Sequence, residues 1–168
     1  TQGVSSAASD VYKRQEHLIY GKEVHKAAED HIRDGTPVPK KFSFLTPVLD
    51  VLKEIPGNKH CEYKMGLTED LEPCGFFDKE VWFRGVADLL IIEDNLAHIV
   101  DYKTSKSSQY ADTKQLELMA LAVFKHFPQV ERVKAGLAFV VCEDFVKSHY
   151  IKYDSPDKWI KWIQETDK

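Results

Sequence analysis

No apolar run in these 168 residues approaches the roughly 20 needed to cross a bilayer. Nothing in the chain resembles a signal peptide, so a cytoplasmic location in a bacterial or phage-infected host cell is expected, with no membrane partner. Cysteine is scarce: Cys61, Cys74 and Cys142 form no CxxC pair and no metal-ligand spacing. Their odd number points to free thiols, and the spacing gives no support for a structural zinc or an iron–sulfur cluster. Positive charge is not in excess. With 23 Lys and Arg against 27 Asp and Glu, the net charge is -4. That excludes the global basic field of a protein that coats nucleic acid. No internal repeat, linker or helicase motif is visible.

What is present suits one soluble globular domain. Hydrophobic residues make up 43% and charged residues 30%, and the length allows a single substantial core. Residues 1–15 are rich in Ser and Ala and look like translated adapter sequence from metagenome-derived reading frames. They are set aside as a non-native or disordered segment, with the native N-terminus expected to be missing. The domain is then expected over residues 16–168.

Glu16 to Arg33 has helical spacing, with Leu18, Gly21, His25, Ala28 and Ile32 on one stripe. Asp34-Gly35-Thr36-Pro37 ends it. Thr46-Pro47 places a cap and a first-turn proline before a second helix to about Ile55. His60 to Thr68 alternates as a strand, and a loop holds Pro73, Cys74 and Gly75. Glu80 to Arg84 leads into a hairpin. Tyr110 to Phe127 is expected as a helix, followed by strands Val133 to Cys142 and Val146 to Tyr153. Ser155-Pro156-Asp157 caps a last helix carrying Trp159, Ile160 and Ile163. This order predicts an α/β (α+β) fold, a central mixed sheet with helices on both sides.

The hairpin carries the chemistry. Val86 to Ile92 and Leu96 to Tyr102 are apolar runs separated by Glu93-Asp94-Asn95. Asp and Asn tolerate the left-handed backbone of a two-residue turn. If Asp94-Asn95 is the loop, Glu93 pairs with Leu96 and Asp88 lies opposite Asp101. Lys103, two residues on, shares the face of Asp101. Directly opposed Cβ atoms sit about 4.5–5.5 Å apart. Two carboxylates that close repel, and the rest of that face is Val86, Leu90, Ile92, Ala97 and Ile99. Buried charge of one sign is costly without a partner, and a divalent cation resolves it. A one-residue slip would separate the aspartates. The alternative is a buried ion-pair cluster, or charges at exposed strand ends.

The residues Gly85-x-x-Asp88, Asp101-Tyr102-Lys103-Thr104, Gln115-Leu116 and Gly21-x-x-x-His25 come in an order that resembles the PD-(D/E)xK nuclease superfamily, and within it the RecB-like exonuclease family. The resemblance implies a restriction-endonuclease-like core and a metal-dependent DNA nuclease, an exonuclease by preference, serving recombination, repair or phage DNA processing. A structure-specific endonuclease, or a silent DNA- or protein-binding module on the same fold, are the alternatives. It implies that Asp88 and Asp101 bind Mg²⁺ or Mn²⁺, with His25 and the Tyr102 carbonyl as further ligands. Lys103 would activate water and Gln115 would place the lysine, the water or the DNA backbone.

Each secondary residue has a plainer alternative. His25 could be a hydrogen-bonded core histidine, Gln115 a helix-surface amide and Tyr102 core packing. Glu62 stands where related nucleases often carry an acid, or is a solvated strand residue. Arg84, Ser105, Lys106 and Lys114 are candidate phosphate contacts. The family's four-cysteine cluster arrangement is absent, so no iron–sulfur cluster is expected. Met119 stands where a tyrosine often follows the glutamine. DNA is the implied partner, with a homo-oligomer or a recombination or replication protein as further candidates.

Overall fold

A computed structural model describes residues 2–109, 111 and 113–152. The first helix, α1, spans Gln2–Asp34 and so runs through the segment set aside above. Gly35 ends it at φ +74, donating its N–H to the His31 carbonyl. Glycine bears that left-handed backbone at a helix end without a Cβ clash. A 3₁₀ turn, Lys40–Leu45, feeds directly into α2, Thr46–Glu54. Thr46 is therefore the first helical residue and donates its N–H to the Ser43 carbonyl, while Leu45 takes the cap position expected for Thr46 and makes no side-chain capping bond. The preceding turn leaves no open helix start there.

Among the described residues six strands form one sheet: β1 (Asn58–Leu67), β2 (Pro73–Cys74), β3 (Phe83–Glu93), β4 (Leu96–Lys103), β5 (Arg132–Phe139) and β6 (Asp144–Ile151). Their order is β2-β1-β3-β4-β5-β6. Every neighbouring pair is antiparallel except β4 and β5, which are parallel. A parallel pair needs a crossover, and α3 (Lys114–His126) supplies it. The mixed sheet with flanking helices is the expected architecture.

Boundaries differ locally. The third helix begins at Lys114, with Ala111 and Thr113 outside it. Pro73-Cys74 is a two-residue strand rather than loop. β5 stops at Phe139, where a turn replaces the expected extension to Cys142. The expected last helix lies outside the described residues.

Two cores sandwich the sheet. On one face α3 packs Leu116, Met119 and Phe124 against Met65, Leu90 and Ile99. On the other, Val24 of α1 and Leu49 and Leu52 of α2 pack with Leu89, Ile91 and Val100. Leu89 to Ile92 are all buried, because a central strand covered on both faces needs apolar residues at every position. No described helix is long and apolar enough to cross a membrane.

The hairpin has the predicted register. Glu93 pairs with Leu96 around Asp94-Asn95, and Asp94 takes φ +52. Gly85 on β3 lies under α3, where an added Cβ would collide with the Met119 sulfur. Met119 thus fills the space that the glycine opens.

Candidate metal centre

The β3–β4 ladder stops at Leu89 and Val100. Beyond it, among the described residues, β3 pairs only with β1, and β4 only with β5. Extending the register would place Asp88 opposite Asp101, as counted from the turn. The strands instead part there, and the Tyr102 N–H donates to Asp88 Oδ2 at 2.9 Å. A side chain takes the place of a ladder bond.

The parting has a counterpart on β1. Glu62 sits at φ +51 between the pairs Cys61–Leu89 and Tyr63–Ala87. Left-handed backbone at a non-glycine residue costs about 1–2 kcal/mol. Strict alternation would put Cys61 and Tyr63 on one face, yet they pack into opposite cores. Ala87 and Leu89 do the same. Both strands therefore change faces at Glu62 and Asp88. This corrects the expectation that simple alternation puts Asp88 on the face of Leu90 and Ile92. The switch turns Asp88 toward α1.

There it meets His25. His25 Nε2 lies 3.1 Å from Asp88 Oδ2, and Nδ1 lies 2.6 Å from the Gly21 carbonyl. In the neutral ring a proton on Nδ1, donated to that carbonyl, leaves the Nε2 lone pair facing the carboxylates. The ring stands edge-on to Tyr102 at 5.9 Å. A Cβ on Gly21 would sit 3.9 Å from the Thr104 hydroxyl, an ordinary contact, so space alone does not demand glycine there. One donor atom from each of His25, Asp88 and Asp101 lies within 4.8 Å of the other two. Lys103 Nζ is 2.9 Å from Asp101 Oδ2.

The electrostatics fit a divalent cation. The Asp88 hydrogen bond, working against burial, raises His25 from its ordinary 6.5 to about 9. Burial and the adjoining Asp88 carboxylate push Asp101 well above the usual carboxylate range, against the pull of Lys103. Burial alone would push Asp88 up as well, but hydrogen bonds from His25 and Asp101 outweigh it and hold Asp88 low. The raised His25 and Asp101 both register the negative charge gathered at this point, which a divalent cation would offset. Two carboxylates are donors that Mg²⁺ or Mn²⁺ accepts, and an imidazole beside them favours Mn²⁺ of the two.

Asp88, His25 and Glu62 line a cleft of about 550 Å³ together with Lys22 and Lys26. Asp101, Lys103 and Gln115 line a second of about 120 Å³ against α3. Glu62 stays outside the three-donor group; burial and the Asp88 charge raise its carboxyl. The Tyr102 side chain is buried in the core while its amide holds Asp88. Gln115 and Lys114 are exposed on the first turn of α3, and Ser105 and Lys106 are exposed in the loop after β4. Arg84 Nε donates to the Phe76 carbonyl at 2.7 Å. The sequence reading passed over Glu29, which lines the His25 cleft. Its signal was its spacing, one helical turn beyond His25. A larger cleft of about 580 Å³ between α2 and strands β4–β6 has no carboxylate among the described residues that line it.

A model of the PD-(D/E)XK nuclease superfamily matches residues 43–167. Asp88, Asp101, Lys103 and Gln115 fall within that span; His25 and the rest of α1 precede it. No curated protein matches the chain.

Proposed function

The chain belongs to the PD-(D/E)XK nuclease superfamily, and from that premise we propose a RecB-like, Mg²⁺- or Mn²⁺-dependent exonuclease acting on DNA. The observation that carries this reading is the convergence of His25, Asp88 and Asp101 within 4.8 Å, with Lys103 bonded to Asp101. Asp88 and Asp101 would hold the cation and His25 would add an imidazole. The Tyr102 N–H fixes Asp88, and the Tyr102 carbonyl would be a further ligand. A divalent ion held there would lower the pKa of a bound water and offset charge developing on the phosphate. Lys103 orients that water and neutralises the phosphoryl oxygens. Gln115 positions Lys103 or the DNA backbone. Arg84, Ser105, Lys106 and Lys114 contact phosphates, which sets register rather than sequence.

The proposed unit is one domain over residues 16–168, cytoplasmic in a bacterial or phage-infected cell. It serves recombination, repair or phage DNA processing, as a homo-oligomer or beside a recombination or replication protein. The test is a Mg²⁺ and Mn²⁺ titration on end-labelled linear single- and double-stranded DNA and on closed circles. Shortening of linear DNA with circles intact is the expected result. Cut circles would make the protein an endonuclease. Binding without product in either metal would make it a silent module.

A further inference from the structure

A second feature lies on the same side of β1 and β3 as the His25 cleft. Gly85 and Ala87 face α3, so Arg84 and Val86 lie on the opposite side. Lys64 pairs with Val86 across the strands, and its charge is felt by Glu62. Arg84 is four residues from Asp88, about 13 Å along an extended strand.

Over this row stands the segment that follows β2. Its base is tight: a Cβ on Gly66 would lie 2.8 Å from the Gly75 carbonyl. Next come Phe76 and Phe77, ring centroids 5.0 Å apart and edge to face. Phe77 is 79% exposed, and neither ring joins either core. Lys64 Nζ lies 5.7 and 5.8 Å from the two ring centroids. The Arg84 guanidinium lies 5.9 Å from Phe76. Asp78, the nearest acid in the segment, accepts the Glu80 N–H. Val86, 38% exposed, continues the apolar surface toward Asp88.

An aromatic face open to water and rimmed by cations matches what a single strand of DNA offers. A strand presents a flat base and a phosphate at every nucleotide, and base–aromatic stacking tolerates any sequence. An intact duplex hides its base faces except at its ends. We propose that Phe76 and Phe77 form a stacking platform for a base of single-stranded DNA, with Lys64 and Arg84 on its phosphates, leading the strand to Asp88 and Asp101. The proposal rests on the nuclease reading for its direction and names the substrate of that site as a single strand or a frayed end.

The experiment compares wild type with Phe77→Ala, Phe77→Trp and Phe77→Leu, all at a solvent-exposed position. Binding of a fluorescein-labelled oligothymidylate is followed by anisotropy in EDTA, and cleavage of the same oligonucleotide and of a dinucleotide is followed in Mg²⁺. Phe77→Ala should weaken oligonucleotide binding about 5- to 100-fold and raise KM with kcat kept. Phe77→Trp should restore both, Phe77→Leu should not, and the dinucleotide should be indifferent. Equal binding by wild type and Phe77→Ala overturns the platform, and so does no binding by wild type. Leucine serving as well as tryptophan also overturns it, and leaves Phe77 as a docking residue for another protein. Binding that depends on Phe77 without cleavage by any variant would keep the platform and sink the nuclease reading instead.

Discussion

The two ends of the β3–β4 hairpin are built on different rules. At the turn end every residue from Leu89 to Glu93 has a partner on β4, and Leu89 to Ile92 are buried on both faces. At the open end the ladder is gone, the alternation of β1 and β3 reverses, and Asp88 spans the gap to the Tyr102 amide. Apolar residues can satisfy a strand only through its backbone. Asp88 can accept a backbone bond and keep its carboxylate beside Asp101 and His25. The regular end fixes the register, so the irregular end can hold two carboxylates close together.

Substitutions at the open end should disable chemistry without unfolding the chain, which separates the two ends most sharply. Asp101→Ala or Asp88→Ala should lower DNA cleavage by about three orders of magnitude, the several kcal/mol that a bound cation contributes. Circular dichroism should remain that of wild type. Lys103→Met should cost about 10²- to 10³-fold in kcat, the range for losing one stabiliser of developing charge. Both are read from single-turnover cleavage at saturating metal.

His25→Ala should weaken Mn²⁺ binding at least about 10-fold, measured by calorimetry. It should also remove a pH signature. With the His25 pKa raised to about 9 from 6.5, the imidazolium stabilises the metal-free fold fully below about 6.5. That contribution is lost as pH rises through about 9. Melting temperatures in EDTA across this window should show the decline in wild type and not in His25→Ala. Mn²⁺ binding should release protons over the same window, because the ion and the proton compete for Nε2.

The smallest effect is expected at the turn. Asp94→Gly relieves a positive φ and should shift stability by less than about 1 kcal/mol in a urea titration. Cleavage should not change.

The turn end was legible because dense apolar runs around Asp94-Asn95 leave one register that buries both strands. Counting from it brought Asp88 to Asp101, and the Gly21-x-x-x-His25 spacing brought in α1. The face switch was not legible. Glu62 is neither glycine nor asparagine, so nothing in its identity announces a left-handed residue. The two-residue β2 carries too little pattern to be told from a loop. Ala111 and Thr113 were drawn into a helix that begins at Lys114, because the helix pattern alone does not mark its first turn. His25 gains nothing from the family match, which begins at residue 43; its place rests on the contacts with Asp88 and Gly21.

The most direct test is a crystal of the protein soaked in Mn²⁺, with the ion located by anomalous scattering. The predicted result is one ion in the parting of β3 and β4, about 2.1 Å from oxygens of Asp88 and Asp101 and from His25 Nε2. An ion bound elsewhere, or a metal-active enzyme whose crystals show none between the two aspartates, would contradict the account.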